Sequence, residues 1–188
     1  MDIVYGKYSG TNWVPQSYSD NKSRYLWTDA FGVCNYITLY YETGNTQFLD
    51  QADALIKGVH DVLGRERNGK KRLGNSTDDE PLKGGLRIGK EDPEGLVLFL
   101  MAWLIKMTGT RDGDGQYFHY LTKWMFALNR MSIARKNIKY NQQAIQLAKS
   151  IHPHFVTNRS SSRPRMHWKI SIDMSHPVVP SEGNLGTF

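Results

Sequence analysis

Four aspartates and one histidine stand beside aromatic rings in this sequence, a combination suited to acid–base chemistry on a sugar. The densest stretch is Arg111-Asp112-Gly113-Asp114-Gly115-Gln116-Tyr117-Phe118-His119-Tyr120-Leu121-Thr122-Lys123-Trp124. Its acidic half reads as a tight turn, because Gly113 and Gly115 accept backbone angles that a Cβ resists. Its aromatic half reads as a helix. Tyr117, Tyr120, Leu121, Trp124, Met125 and Leu128 share one face, and Gln116, His119 and Lys123 share another. Asp112 or Asp114 can cap that helix at its positive end. Carboxylates at a helix mouth, with rings and a cation alongside, fit a polar ring-shaped ligand. The plainer use of the same residues is that the aspartates only cap and the rings only pack.

Asp29 occupies a similar place in the first turn of another helix, next to Trp27. Glycosidases set two carboxyl groups across the scissile bond, about 5 Å apart for retention and roughly 6.5–9.5 Å apart for inversion. Asp29 with Asp112 or Asp114 is the preferred pair, with Asp173 in reserve, and the acid of the pair needs a raised pKa. His119 offers a different route, as the base of an epimerase-like reaction, since an unperturbed imidazole titrates near neutrality. The candidate substrate-binding residues are the rings of Trp27, Tyr117, Tyr120, Trp124 and Trp168, the cations Arg87, Lys90 and Lys123, and Asp173. The cations would acquire a role with a sugar acid or a phosphate. Each candidate also has a structural use: Asp29 at its helix start, His119 as a satisfied or surface histidine, the cations as solvated charges.

Metal and cofactor chemistry is not expected. Asp112 and Asp114 begin like a calcium loop, but Tyr117 stands where that loop needs glycine and Lys123 where it needs glutamate. His152 and His154 lack further ligands at zinc spacing. Gly84-Gly85-Leu86-Arg87-Ile88-Gly89-Lys90 nearly matches a phosphate-binding loop. It fails at Glu91, where Ser or Thr would meet the metal, and no strand leads into it.

The 188 residues suffice for one domain with a real core, and 39% apolar with 22% charged content is ordinary for a globular chain. The net charge of +6 and pI near 9.4 are spread along the sequence, densest at 65–72 and 159–165. No nucleic-acid motif accompanies them, so specific nucleic-acid binding is not expected. The lone cysteine, Cys34, excludes an intrachain disulfide and reads as a small buried apolar group. Residues 1–10 lack a secretion pattern, so the expected location is intracellular, in the cytoplasm. The composition leaves the oligomeric state open.

The elements that must position these groups follow from periodicity. Residues 24–42 and 115–130 are apolar on nearly every side, as buried helices are; 46–63 and 139–152 are apolar on one face only. Glycine closes the first helix at Gly44, and Thr46 is a plausible cap for the second. Residues 1–22 read as an irregular lead-in, and 64–93 as a long polar loop of a length that is often functional. The run from 94 to 108 has no polar face and is too short to cross a bilayer, so no membrane contact is expected. Residues 166–173 alternate like a strand, and 174–188 form an irregular tail.

Buried helix, one-sided helix and long loop therefore occur twice within one domain, 1–188. Inner and outer helices of an (α/α) toroid have this pattern. In such a ring the long segments 64–114 and 156–173 share an end with the starts of both inner helices. Asp29, Asp112, Asp114 and Asp173 would converge there, with Trp27, Tyr117, His119 and Trp168.

Four strings give the pattern a more specific resemblance. They are Trp27-Thr28-Asp29-Ala30-Phe31-Gly32-Val33-Cys34-Asn35, the Gly84 to Lys90 string, Asp114 to Trp124, and Met166-His167-Trp168-Lys169-Ile170-Ser171-Ile172-Asp173. In this order, across about residues 24–173, they resemble an uncharacterised family of the six-hairpin glycosidase-like superfamily. The resemblance implies an all-α toroid and action on carbohydrate, without specifying a reaction. The relatives have a shorter, more polar segment in place of Gly95 to Thr110, and they continue beyond the strand, whereas this sequence ends at Phe188. A closed ring needs about twice this length. The expectation is thus an incomplete, N-terminal portion of a toroid, with 94–108 as an insert and inner faces left exposed. Three functions remain open. One is glycoside hydrolysis or a related sugar reaction; another is non-catalytic binding of carbohydrate or protein; the third is an inactive fragment.

Overall fold

The computed structural model describes residues 1–16, 24–90 and 113–179. Asp112, the apolar run 94–108 and the end of the tail lie outside the described residues. The described chain is mostly helical, with five helices and two short antiparallel ladders.

Helix α1 is one turn, Asp2–Tyr5. It belongs to a lead-in that packs across the domain: Tyr5 and Trp13 are buried, and both rings lie against Tyr36, with centroids 5.9 and 6.4 Å away. Helix α2 spans Leu26–Thr43. Its start is fixed by the loop ahead in sequence, because the Leu26 amide donates to the Ile88 carbonyl at 3.0 Å. Its end is the expected glycine stop: Gly44 has φ 68° and donates its amide to the Tyr40 carbonyl. Gly32 sits mid-helix because a Cβ there would come within 2.3 Å of the Tyr5 hydroxyl.

Helix α3 runs over Gln47–Val62. Thr46 precedes it but makes no capping bond; the Asn45 side chain caps instead, accepting from the Gln47 amide at 3.0 Å. Helix α4 covers Phe118–Arg135 and starts later than the periodicity places it, because Gln116–Tyr117 is a short strand, β1. Helix α5 covers Ile138–Phe155, with the Asn137 side chain accepting from the Lys139 amide. It continues through Pro153, losing one backbone bond in its last turn, and the buried Phe155 ring anchors the end.

The strand expected over 166–173 is divided. Strand β2, Val156–Thr157, pairs with β3, Arg165–Met166; strand β4, Lys169–Ile170, pairs with β1. Trp168 lies at the break, and its carbonyl accepts from the Phe118 amide. The chain changes partner there, so a single alternating strand cannot form.

Helix α2 packs against α3 and α4, and α4 packs against α5. One core runs through all four, from Leu26, Val33 and Tyr36 through Leu55 and Val59 to Leu121, Leu128, Leu147 and Ile151. The starts of α2 and α4 meet, where Tyr25 and Tyr120 are hydrogen-bonded through their hydroxyls. The described residues thus form two helical hairpins side by side, not a closed ring. Phe31 (47% exposed) and Tyr41 (57%) on α2, with Phe126 (57%) and Ile133 (50%) on α4, remain uncovered among them.

The long loop is not loosely attached. Residues 64–90 contain no helix, yet Leu73, Leu82, Leu86, Arg87, Ile88 and Gly89 are buried. Burial of so much irregular backbone requires that its polar groups find partners. Gln116 supplies several: its Oε1 accepts from the Leu86 amide at 3.1 Å, and its Nε2 donates to Gly84 and Ile172 carbonyls at 2.9 and 2.8 Å. Gly85, at φ 75°, makes room for this side chain; a Cβ there would fall 1.8 Å from Gln116 Oε1. The glycines that resemble a phosphate-binding loop are therefore filled by the protein itself.

Candidate functional site: an aromatic patch at the helix starts

The first turns of α2 and α4, with the break between β3 and β4, bring Trp27, Tyr117, His119, Tyr120 and Trp168 together. Trp27 lies 5.6 Å from His119 and 5.0 Å from Tyr120, centroid to centroid. Tyr117 lies 5.2 Å from His119 and 5.1 Å from Tyr120. His119 and Trp168 are closest, at 4.2 Å and 32° between planes. Three distant segments thus contribute to one patch, whose rings other than Tyr117 are half-buried. Tyr25, which sequence reasoning missed, completes it edge-on to Tyr120 at 5.5 Å. The signal for Tyr25 was its place beside Trp27 at the helix start.

His119 has the environment of a neutral imidazole. Burial and then the nearby Lys123 ammonium pull its pKa below the usual histidine range. Its Nδ1 is buried and has no hydrogen-bond partner among the described residues. Lys123 is exposed one turn along α4. Lys90 Nζ lies 5.6 Å from the centroid of Tyr117. Lys169 approaches the same ring at 5.1 Å, but it is buried, and its ammonium donates to the Gly113 carbonyl at 2.5 Å.

The carboxylates are placed differently. Asp29 is 3% exposed and faces inward. The Tyr5 hydroxyl donates to its Oδ1 at 3.1 Å, and Arg24 approaches Oδ2 at 3.3 Å. Burial raises its pKa above the ordinary carboxylate range, against the opposing pull of Arg24. The acid of a glycosidase pair needs that shift, but here it comes with loss of access. Asp114 has no exposed surface. Its Oδ2 accepts from Arg87 at 2.6 Å and Arg67 at 3.0 Å, and its Oδ1 accepts from the Gly89 and Gly115 amides at 3.0 Å each. It therefore ties loop to loop and caps no helix, since α4 begins only at Phe118.

Compared with known proteins, the chain matches no family model, no curated protein and no solved structure.

Two further candidates are internal. Arg87 is 2% exposed; besides Asp114 it donates to the Arg65 and Val62 carbonyls at 2.7 and 3.1 Å. Trp124 is wholly buried, and its indole donates to His60 Nε2 at 3.1 Å. Neither side chain is available to a ligand. Asp173 is exposed but occupied in its own turn, where Oδ1 accepts from the Ser171 and Ser175 hydroxyls and the Ser175 amide. Those donors hold its pKa down at about 2, so it is ionised at neutral pH.

Among the described residues, no group of three His, Cys, Asp or Glu side chains is placed to hold a metal ion. No helix among them is long and apolar enough to cross a membrane. Cys34 is half-buried, and burial raises its thiol pKa, as for a packing residue and not a nucleophile.

Proposed function

We propose that this chain is a carbohydrate-recognising protein of the six-hairpin glycosidase-like kind, with α2 and α4 as neighbouring inner helices of an (α/α) toroid. The ligand lies on the aromatic patch. One observation carries this reading: rings from the starts of two helices and from a third, distant segment adjoin at one half-open surface. Sugar rings present apolar C–H faces that stack on aromatic side chains, while their hydroxyls need polar partners at the edge. Tyr25, Tyr120 and His119 offer such groups. Recognition is favoured over hydrolysis by an aspartate pair, because Asp29 and Asp114 are engaged inside the protein.

A saccharide titration followed by tryptophan fluorescence tests this. Binding is expected to perturb the signal and to weaken at least about tenfold in Trp168→Ala, an amount equal to about 1.4 kcal/mol. If no saccharide alters the fluorescence at millimolar concentration, the reading fails. Dye binding to the native chain without any saccharide response would favour an inactive fragment.

The state of His119 supports a second reading, in which the patch also performs proton transfer. The ring is half-buried and its Nδ1 is enclosed, so Nε2 of the neutral imidazole is the nitrogen that would accept a proton from a sugar carbon or hydroxyl. Turnover would then vanish in His119→Gln while saccharide affinity survived. Exchange of a ligand C–H proton with deuterated solvent would report the same step, and its absence in the parent protein would remove this reading.

A further inference from the structure

We propose that the uncovered face along α2 and α4 docks one amphipathic helix of an acidic partner protein. The proposal is independent of the saccharide reading, because this face lies beyond the rings at the helix starts.

The two helices run side by side in the same direction. Their starts meet at Tyr25 and Tyr120, and further along, the charges of Arg130 and Lys123 on α4 reach the Cys34 thiol on α2. Both helices repeat one spacing. Phe31, Cys34, Thr38 and Tyr41 on α2 follow intervals of three, four and three residues, and so do Lys123, Phe126, Arg130 and Ile133 on α4. Such intervals mark a heptad seam, against which a further helix packs. Phe31, Tyr41, Phe126 and Ile133 stand about half exposed along it, a patch of the kind that marks an interaction site.

Charge identifies the occupant. Lys123 is exposed and Arg130 is half-buried, and among the described residues neither forms an ion pair. They are seven residues apart, about 10.5 Å along α4. No carboxylate occupies either repeat to offset them. A helix laid in the seam presents side chains one heptad apart at the same separation. Two of its glutamates or aspartates can therefore meet both cations while its apolar stripe covers the four exposed side chains. A second copy of this chain fits poorly, since it would bring the same two cations and a net charge of +6 to the same surface.

The experiment uses the full chain and the fluorescence anisotropy of three labelled peptides of about 21 residues, each three heptads with leucine at both seam positions. One flanking position of every heptad carries glutamate, glutamine or lysine. At low ionic strength the glutamate peptide should bind at least about tenfold more tightly than the glutamine peptide, and the margin should narrow in high salt. In the double variant Lys123→Glu, Arg130→Glu the preference should reverse toward the lysine peptide, with circular dichroism verifying that the variant folds. Bound peptide should also slow maleimide labelling of Cys34, which lies in the seam. No binding of the glutamate peptide up to about 0.1 mM would overturn the proposal. So would a preference unaltered by the charge reversal, or binding that leaves Cys34 labelling unchanged. A native dimer dissolved by Phe126→Ser would assign the face to a second copy. Partition onto phosphatidylserine vesicles in preference to the peptide would assign it to a membrane surface. Either of these results also overturns the proposal.

Discussion

Acidification should weaken this protein through one buried histidine. His60, on α3, is 5% exposed and accepts the Trp124 indole proton on Nε2 at 3.1 Å. An indole can only donate, so the pair requires a neutral imidazole protonated on Nδ1. Burial is the main reason that its pKa falls from 6.5 to about 3. The folded pKa lies below the unfolded one, so the unfolded chain takes the proton first. The contribution is fully present above the unfolded value and is lost as pH falls toward the folded value. A shift of this size limits the total loss to about 5 kcal/mol, and between pH 7 and pH 5 the loss is about 2 kcal/mol.

Urea unfolding of the native chain and of His60→Gln at pH 7, 6 and 5 measures this. Glutamine can still accept from Trp124 but does not titrate. The variant is expected to be less stable at pH 7 and then to lose about 2 kcal/mol less than the parent on going to pH 5. Taking the difference between the two proteins removes the carboxylates that titrate in both. Parallel losses would refute the reasoning. An NMR titration of the native imidazole gives an independent check, since His60 should remain unprotonated at pH 5.

Three other perturbations have defined outcomes. Asp114→Ala leaves the buried Arg87 without its counter-charge and should cost about 3–5 kcal/mol in urea unfolding. Gly85→Ala drives a Cβ into Gln116 at a positive φ, so its melting temperature should drop, reflecting a loss of about 2 kcal/mol or more. Cys34 has a raised pKa and is partly covered, so maleimide should label it at pH 7 roughly tenfold more slowly than a free thiol, with full labelling only in urea.

The helices were legible because their signals are local. The apolar stripe of α3 and the glycine after α2 require no knowledge of the rest of the chain. The rings of the patch were legible for a related reason: Trp27 and Tyr117 to Tyr120 flank helix starts, and the short links between helices bring those starts to one end. The aspartates were harder to place. A carboxylate at a glycine turn looks the same in sequence whether it faces a ligand or a guanidinium, and Arg87 lies 27 residues before Asp114. Trp124 fell on the same helical stripe as Tyr117 and Tyr120 and so was read with them. Its partner, His60, lies 64 positions earlier in sequence. The useful clue for His60 was its position one turn after Ile56, on a row that also holds Leu49. The division of 166–173 had no local sign, because alternation continues across Trp168 while the pairing partner changes.

The bonds from Arg87, Gln116 and Asp114 give the segment 64–90 a physical property that its lack of helix conceals. Amides of Leu86, Arg87, Ile88 and Gly89 are donated to Gln116, Leu63, Gly115 and Asp114. They should exchange with deuterium as slowly as amides deep in α3. Far-ultraviolet circular dichroism reports mainly helix and would register little if this segment detached alone. A melt followed only by that signal would follow the four long helices and report nothing of the bonds that hold Asp114 inside the loop.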